Sequence, residues 1–259
     1  MHEKYKAYEG EDKVVTSHEL YEELKRNRKD KPDILLRTGM PWLDYYLGGF
    51  ELGEVTVISG VPGNGKTLLA KTFSHKFDTD KHMATWFSYE IQSWHFLDSF
   101  GHSLPLFAMP RKLRISSMQW LSERTKESIA KYGVKAIFID HLHFIIDMAN
   151  PKRAQAIDVT MRYLKRMAIE LNICIFLIAH TVKTKIDPTE GLDMADLRDS
   201  GMIAAESDNV LFIWRTTKPD NGAILKIAKD RKNGNLGKMI RLVKTENGLL
   251  GEVISQGEQ

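Results

Sequence analysis

The sequence predicts an α/β fold: a mostly parallel sheet with helices on both faces, ending in a C-terminal β-hairpin. Three observations carry that expectation. From about residue 54, short apolar runs alternate with helical segments, the pattern of a doubly wound sheet. The runs "EVTVISG", "ATWFSYE", "KAIFID", "ICIFLIAH", "NVLFIWR" and "AILKIAK" are apolar almost throughout, which suits strands covered on both sides. The tail "KMIRLVKTENGLLGEVI" sets Asn247-Gly248 between two strand-like stretches, a short-range hairpin signal.

Taken in order, the first 15 residues or so read as a polar arm. A helix is expected from Thr16, which stands three residues before Glu19 in capping-box spacing, with Leu20 and Leu24 on one apolar side. "NRKDKPD" then reads as a charged linker in which Pro32 ends any helix. The expected division is an arm and linker helix over 1–45 and one α/β domain over 46–259. Within the domain, Ile157, Met161, Leu164, Ala168 and Leu171 recur at helical spacing, with Arg162, Lys165, Arg166 and Glu170 on the other sides.

The totals narrow the function classes. With 259 residues, 42% hydrophobic and 27% charged, the chain can bury a sizeable core and is expected to be soluble. A formal charge of +3 is too small to imply nucleic acid from bulk charge, so that reading has to come from local placement. The single cysteine, Cys174, lies inside "NICIFLIAH", reads as core, and excludes a disulfide framework. No apolar run approaches the ~18 residues of a membrane helix, and the charged start "MHEKYKAYEGEDK" does not resemble a secretory signal. A cytoplasmic protein is expected, with no membrane partner; a phage protein in a host cytoplasm fits the same description.

"GVPGNGKT", comprising Gly60, Val61, Pro62, Gly63, Asn64, Gly65, Lys66 and Thr67, matches G-x-x-x-x-G-K-[ST] between the strand "EVTVIS" and the helix "TLLAKTFSHKF". Glycines let successive amides face one anion, and the helix adds its positive end. Lys66 is expected on the outer phosphates of a nucleoside triphosphate and the Thr67 hydroxyl on Mg²⁺. A second carboxylate is needed for the metal, and Asp140 ends "KAIFID" at the carboxyl edge of the sheet. Glu90, ending "ATWFSYE", is placed to orient or deprotonate an attacking water, and His180, ending "FLIAH", to sense the γ-phosphate.

"KDRKNG" carries three cations in four residues. It reads either as a solvated hairpin turn through Asn233-Gly234 or as Lys229 and Arg231 reaching for a phosphate. Spacing of two along an extended strand puts both side chains on one face. Lys183, Lys185 and Arg198 form a local basic set in a nearly neutral chain, suited to phosphate contacts that do not read sequence.

The order P-loop, strand-end Glu, Asp and His, then "DLRDSG" and "KDRKNG", resembles the RecA-like ATPase domain of DnaB-type hexameric replicative helicases, a group that includes the phage primase-helicases and Twinkle. "RTGMPWLDYYLGGF" resembles its pre-P-loop segment and "WFSYEI" its Phe-Ser-x-Glu signature. The similarity runs over roughly four fifths of the chain. It implies an ATP-dependent helicase that travels 5′–3′ on single-stranded DNA as a homo-hexamer in DNA replication, with a primase, polymerase or loader as further partners. By the same resemblance, Arg198, Asp199 and Gly201 approach the strand in the central channel, and Arg215 stacks on the adenine. Lys229 and Arg231 reach the γ-phosphate of the neighbouring subunit, and the leading helix grips that neighbour. "NPKRAQ" near 150–155 is a candidate second channel loop. About 50 residues precede the domain, too few for a helical collar or a primase, so priming activity is not expected in this chain. Two alternatives stay open: a RecA- or KaiC-like oligomeric ATPase of recombination or regulation that does not unwind duplex, and a monomeric P-loop kinase.

Overall fold

The computed structural model describes residues 8–10, 13–30, 34–114, 117–142, 145–146, 153–181, 191–197, 200–216 and 222–253. The chain falls into two compact units, residues 1–34 and 35–259. In the first, helix α1 (Ser17–Asp30) starts at the expected capping box. The Thr16 amide donates to Glu19 Oε2 at 2.8 Å, and the Glu19 amide donates to Thr16 Oγ1 at 3.2 Å.

The division falls at 34/35 and not at 45/46, because residues 35–51 are built into the second unit. Strand β1 (Leu35–Leu36) pairs antiparallel with β2 (Phe50–Glu51). Between them, helix α2 (Pro41–Leu47) buries Leu43 and Leu47. Its first free amides are satisfied from the far end of the chain: Trp42 and Leu43 donate to the Glu252 carboxylate at 2.8 and 2.9 Å.

The remaining strands are β3 (Val55–Gly60), β4 (Ala84–Ser88), β5 (Ala136–Asp140), β6 (Cys174–His180), β7 (Asn209–Arg215), β8 (Ala223–Asp230), β9 (Met239–Lys244) and β10 (Leu250–Glu252). They form one sheet in the order β10-β9-β8-β7-β3-β6-β5-β4. From β7 to β4 every pairing is parallel. "AILKIAK" departs from its expected place among the parallel strands, since β8 runs antiparallel to β7. The connection between them is shorter than the dozen or so residues a parallel crossover needs, and β8 alternates between buried and half-buried positions as a less covered strand does. β9 and β10 make the expected terminal hairpin, turning through Asn247-Gly248.

Helices cover both faces of the parallel block, and strand alternation assigns each residue to one of them. On one face, Phe73 and Phe77 of helix α3 (Lys66–Thr79) meet Phe176, and Phe77 stacks on Phe138, with the Trp86 ring 4.5 Å from Phe138. Beyond Trp86, Phe96 of the short helix α4 (Ser93–Asp98) continues this aromatic layer. On the other face, Ile137, Ile139, Ile175 and Leu177 join a cluster with Trp120 and Leu121 of α5 (Met118–Tyr132). Ile157, Met161, Leu164 and Ala168 of α6 (Arg153–Leu171) complete it. Cys174 is buried as expected, its thiol directed to the Glu51 carbonyl at 3.0 Å. A last helix, α7 (Ser200–Glu206), precedes β7. Among the described residues no helix is long and apolar enough to cross a membrane.

Candidate functional site

The carboxyl ends of β4, β5, β6 and β3 lie side by side, and register brings the chemistry-bearing residues into one row. Ser88 is opposite Asp140, and Gly60 is opposite His180. The P-loop leaves β3 at Gly60, where a Cβ would stand 2.2 Å from the Ile213 carbonyl oxygen of β7; only glycine lets the backbones approach this closely. Gly65, at φ 97°, turns the chain into α3 through the left-handed region. Asn64 ties the loop to the next strand by accepting from the Arg215 amide at 2.8 Å.

Lys66 is buried, and its ammonium donates to the Gly60 and Val61 carbonyls at 2.9 and 3.1 Å. Burial lowers its pKa, and the charges of Glu90 and Asp140 oppose that shift. The Thr67 hydroxyl donates to Asp140 Oδ2 at 2.8 Å. Asp140 is fully buried, and its Oδ1 has no hydrogen-bond partner. Burial pushes this carboxyl up to about 6, with the Glu90 charge adding to the rise and the Thr67 hydrogen bond opposing it. An orphaned carboxylate oxygen beside a hydroxyl is a hard oxygen-donor set, and it fits Mg²⁺. Glu90 is held beside this pair: its amide donates to the Asp140 carbonyl at 3.2 Å, while its carboxylate is exposed.

The Asp140 carboxyl carries a stability prediction. Its folded pKa lies above the ordinary carboxylate value, so ionisation opposes folding. The contribution is fully favourable at acid pH and is lost as pH rises through about 6. In Mg²⁺-free buffer, Asp140→Asn is expected to melt a few degrees above the unsubstituted chain at pH 8, at about 2–4 °C per kcal/mol for this size, and to lose that advantage at pH 5. Thermal unfolding at the two pH values, with and without Mg²⁺, checks it; an advantage that does not change with pH would count against it.

Beside the P-loop, a cleft of about 500 Å³ is lined by Asn64, Gly65, Leu68, Ile213, Arg215 and Lys244, among others. Arg215 is exposed at its mouth. Lys229 and Arg231 stand elsewhere. Lys229 donates to the carbonyls of Ala204 and Ser207 at the end of α7. Arg231 donates to the Ala205 carbonyl at 2.6 Å and to Asp208 Oδ1 at 3.0 Å. Asp208 also accepts from the Val55 amide, at 2.8 Å, and from Lys165, at 2.7 Å. Val55 opens β3 and Gly60 closes it, so the two cations sit at the amino edge, a strand length of about 17 Å from their own P-loop. Gly234, at φ 70°, lies in the connection to β9, and Asn233 donates to the Leu47 carbonyl at 2.8 Å.

Lys183, Lys185, Arg198 and Asp199 lie outside the described residues, as do Asn150, Pro151 and Lys152 of the candidate second channel loop, whose last three residues instead open helix α6; Gly201 lies in α7, exposed. Two residues, one at each edge of the sheet, escaped the sequence reading. His141 follows Asp140 and packs its ring against His180, with centroids 4.3 Å apart. Asp208 gathers partners 23, 43 and 153 residues away in sequence. The His in "IDHLH" was a visible signal; nothing local marks Asp208.

The family model described as DnaB-like helicase C terminal domain matches residues 103–252, and one described as KaiC matches 36–79. The replicative DNA helicase DnaB of Mycoplasma pneumoniae is 27% identical over 225 residues, covering 72% of this chain and 48% of that protein. That of Treponema pallidum is 26% identical over 249 residues, covering 82% and 54%. The chain therefore spans about half the length of the curated relatives it matches. Among solved structures, an isolated ATPase domain superposes with a TM-score of 0.77 at 17% identity, over 93% of this chain and all of that one. A DnaB-like replicative helicase, studied with primase, gives 0.74 at 19% identity, over 94% and 68%. At these identities the superpositions establish the fold, which is RecA-like.

Proposed function

Because the chain belongs to the DnaB-like helicase C-terminal domain family, we propose that it is the motor of a ring-forming, ATP-dependent DNA helicase in replication, moving 5′–3′ on single-stranded DNA. One observation carries the reading. The phosphate cradle and metal pair occupy the carboxyl edge of the sheet, while Lys229 and Arg231 occupy the amino edge. A chain that holds Lys229 and Arg231 a strand length from its own P-loop can complete the site only on a second copy, which a closed ring supplies for every subunit.

In this reading Lys66 and the P-loop amides hold the phosphates, and Glu90 orients water and accepts its proton. His180, beside Gly60, senses the γ-phosphate. Mg²⁺ held by Thr67 and Asp140 would neutralise charge building on the phosphate oxygens. Arg215 faces the cleft suited to the base. The leading helix α1 is assigned to the neighbouring subunit, and a primase, polymerase or loader to the wider assembly.

Lys183, Lys185, Arg198, Asp199 and Gly201 are assigned to the strand in the channel. Arg198→Ala should weaken oligonucleotide binding alike for all base compositions and reduce the salt slope by about 1. Titrations of poly-pyrimidine and mixed oligonucleotides at several salt concentrations measure both; loss confined to one composition would remove Arg198 from the phosphate contacts.

The KaiC match is confined to 36–79, around the P-loop, against 103–252 for the DnaB-like match, so an oligomeric ATPase without unwinding is the less supported reading and the one to exclude. Sizing the protein with and without a non-hydrolysable ATP analogue and an oligonucleotide, then offering a forked duplex, separates the two. A ring that opens the fork supports the helicase. A ring that leaves it closed supports the second reading. A monomer with full turnover, indifferent to DNA, overturns both.

A further inference from the structure

We propose that Glu90, His141 and His180 form a binding site for a borderline transition-metal ion, Zn²⁺ in the first instance, beside the oxygen-donor pair of Thr67 and Asp140. Each of the three residues offers one ligand atom, and these atoms all lie within 4.8 Å of one another. A tetrahedral Zn²⁺ with bonds of ~2.0–2.1 Å holds its ligand atoms about 3.3 Å apart, so modest side-chain rotation closes the set. The supports for that closure are strand ends. His180 ends β6, His141 directly follows β5, and Glu90 stands two residues beyond β4 with its amide bonded to the Asp140 carbonyl. These are the ends of three adjacent parallel strands of one sheet.

Ligand chemistry separates this site from its neighbour. Two imidazoles and a carboxylate suit Zn²⁺, Co²⁺ or Ni²⁺ and are poor donors for Mg²⁺, which asks for oxygens in octahedral array. Three protein ligands leave a fourth position open to water, the pattern of a non-structural zinc site. Access is one-sided: His141 is buried, His180 half-buried and Glu90 exposed. The two rings meet edge to face at 70°, and as neutral ligands both can turn a nitrogen toward one ion.

Binding by these three groups does not depend on what the chain hydrolyses. Its consequence rests on the proposed function. The ion takes the carboxylate assigned to water and the imidazole assigned to the γ-phosphate, so the Zn²⁺-loaded protein keeps nucleotide at the P-loop and stops turning it over.

The test is Zn²⁺ titration of the full chain against a chromophoric chelator, with Co²⁺ as a visible stand-in whose absorption reports tetrahedral coordination. One equivalent is expected to bind, unaffected by millimolar Mg²⁺. His141→Asn should weaken it by at least about tenfold, the smallest loss seen when even a supporting partner of a metal ligand is removed. Glu90→Gln, at an exposed position where folding is not at stake, should do the same, and His75→Asn on α3 should change nothing. Unchanged affinity in the His141 and Glu90 variants overturns the site. If those variants lose the ion but Zn²⁺ does not slow turnover of the unsubstituted protein, the site stands and the roles given to Glu90 and His180 fall.

Discussion

Arg231→Ala is expected to bind nucleotide as the unsubstituted protein does and to lose DNA-stimulated ATP turnover by about 10³–10⁵, the range for a guanidinium delivered to a transferring phosphoryl group. The expectation comes from where the residue is held. Arg231 lies one residue beyond β8, with its side chain about half exposed, on Asp208 and the end of α7. It touches nothing that cradles phosphate in its own chain, so removing it leaves the P-loop, Lys66 and the Thr67–Asp140 pair intact. Folding should survive as well, because Asp208 keeps Lys165 and the Val55 amide as partners. A fluorescent ATP analogue measures binding, and steady-state hydrolysis with and without oligonucleotide measures turnover. Mixing sharpens the result. Assemblies combining Arg231→Ala subunits with subunits defective in the P-loop should regain activity at interfaces where an intact cradle meets an intact arginine. Normal hydrolysis by Arg231→Ala alone would remove the residue from catalysis and return "KDRKNG" to a hairpin connection.

The parts of this molecule legible in its sequence are those whose cause is local or periodic. β3, the glycines of the P-loop and α3 follow each other within 25 residues, and each is demanded by the backbone geometry of the next. Asp140, Glu90 and His180 were visible because each ends an apolar run, and a parallel sheet lines up such ends on one edge. What was not legible depends on distant partners. Helix α2 is capped by Glu252, and two-residue strands such as β1 and β2 have no periodicity to read. Lys226 and Lys229 interrupt "AILKIAK" with half-buried cations, a sign of the antiparallel β8 that the surrounding apolar residues hid. Asp208 illustrates the same limit from the side of energetics: its partners come from β3, α6 and the turn after β8, and none of them is near it in sequence.

Lys66→Ala is expected to abolish measurable ATP turnover while leaving the fold intact. The ammonium is buried between the first two carbonyls of the P-loop, and it is the cation that opposes the charges of Glu90 and Asp140 at the carboxyl edge. Loss of one preorganised donor to developing charge costs about 10²–10³ in rate. Here the missing group is a full, buried cation, and nucleotide affinity falls with it, so the two losses multiply. At acid pH stability rises or is unchanged, since burying the ammonium opposes its charged form. Without that neighbouring cation, Asp140 should titrate higher than about 6, and the Mg²⁺-free protein should lose stability toward alkaline pH more steeply. Nucleotide binding, hydrolysis and thermal unfolding at pH 6 and pH 8 give three independent readings. Turnover surviving in a folded Lys66→Ala protein would mean that the phosphates are held somewhere other than the loop from Gly60 to Thr67, and the roles assigned to Thr67, Asp140 and Glu90 would fail with it.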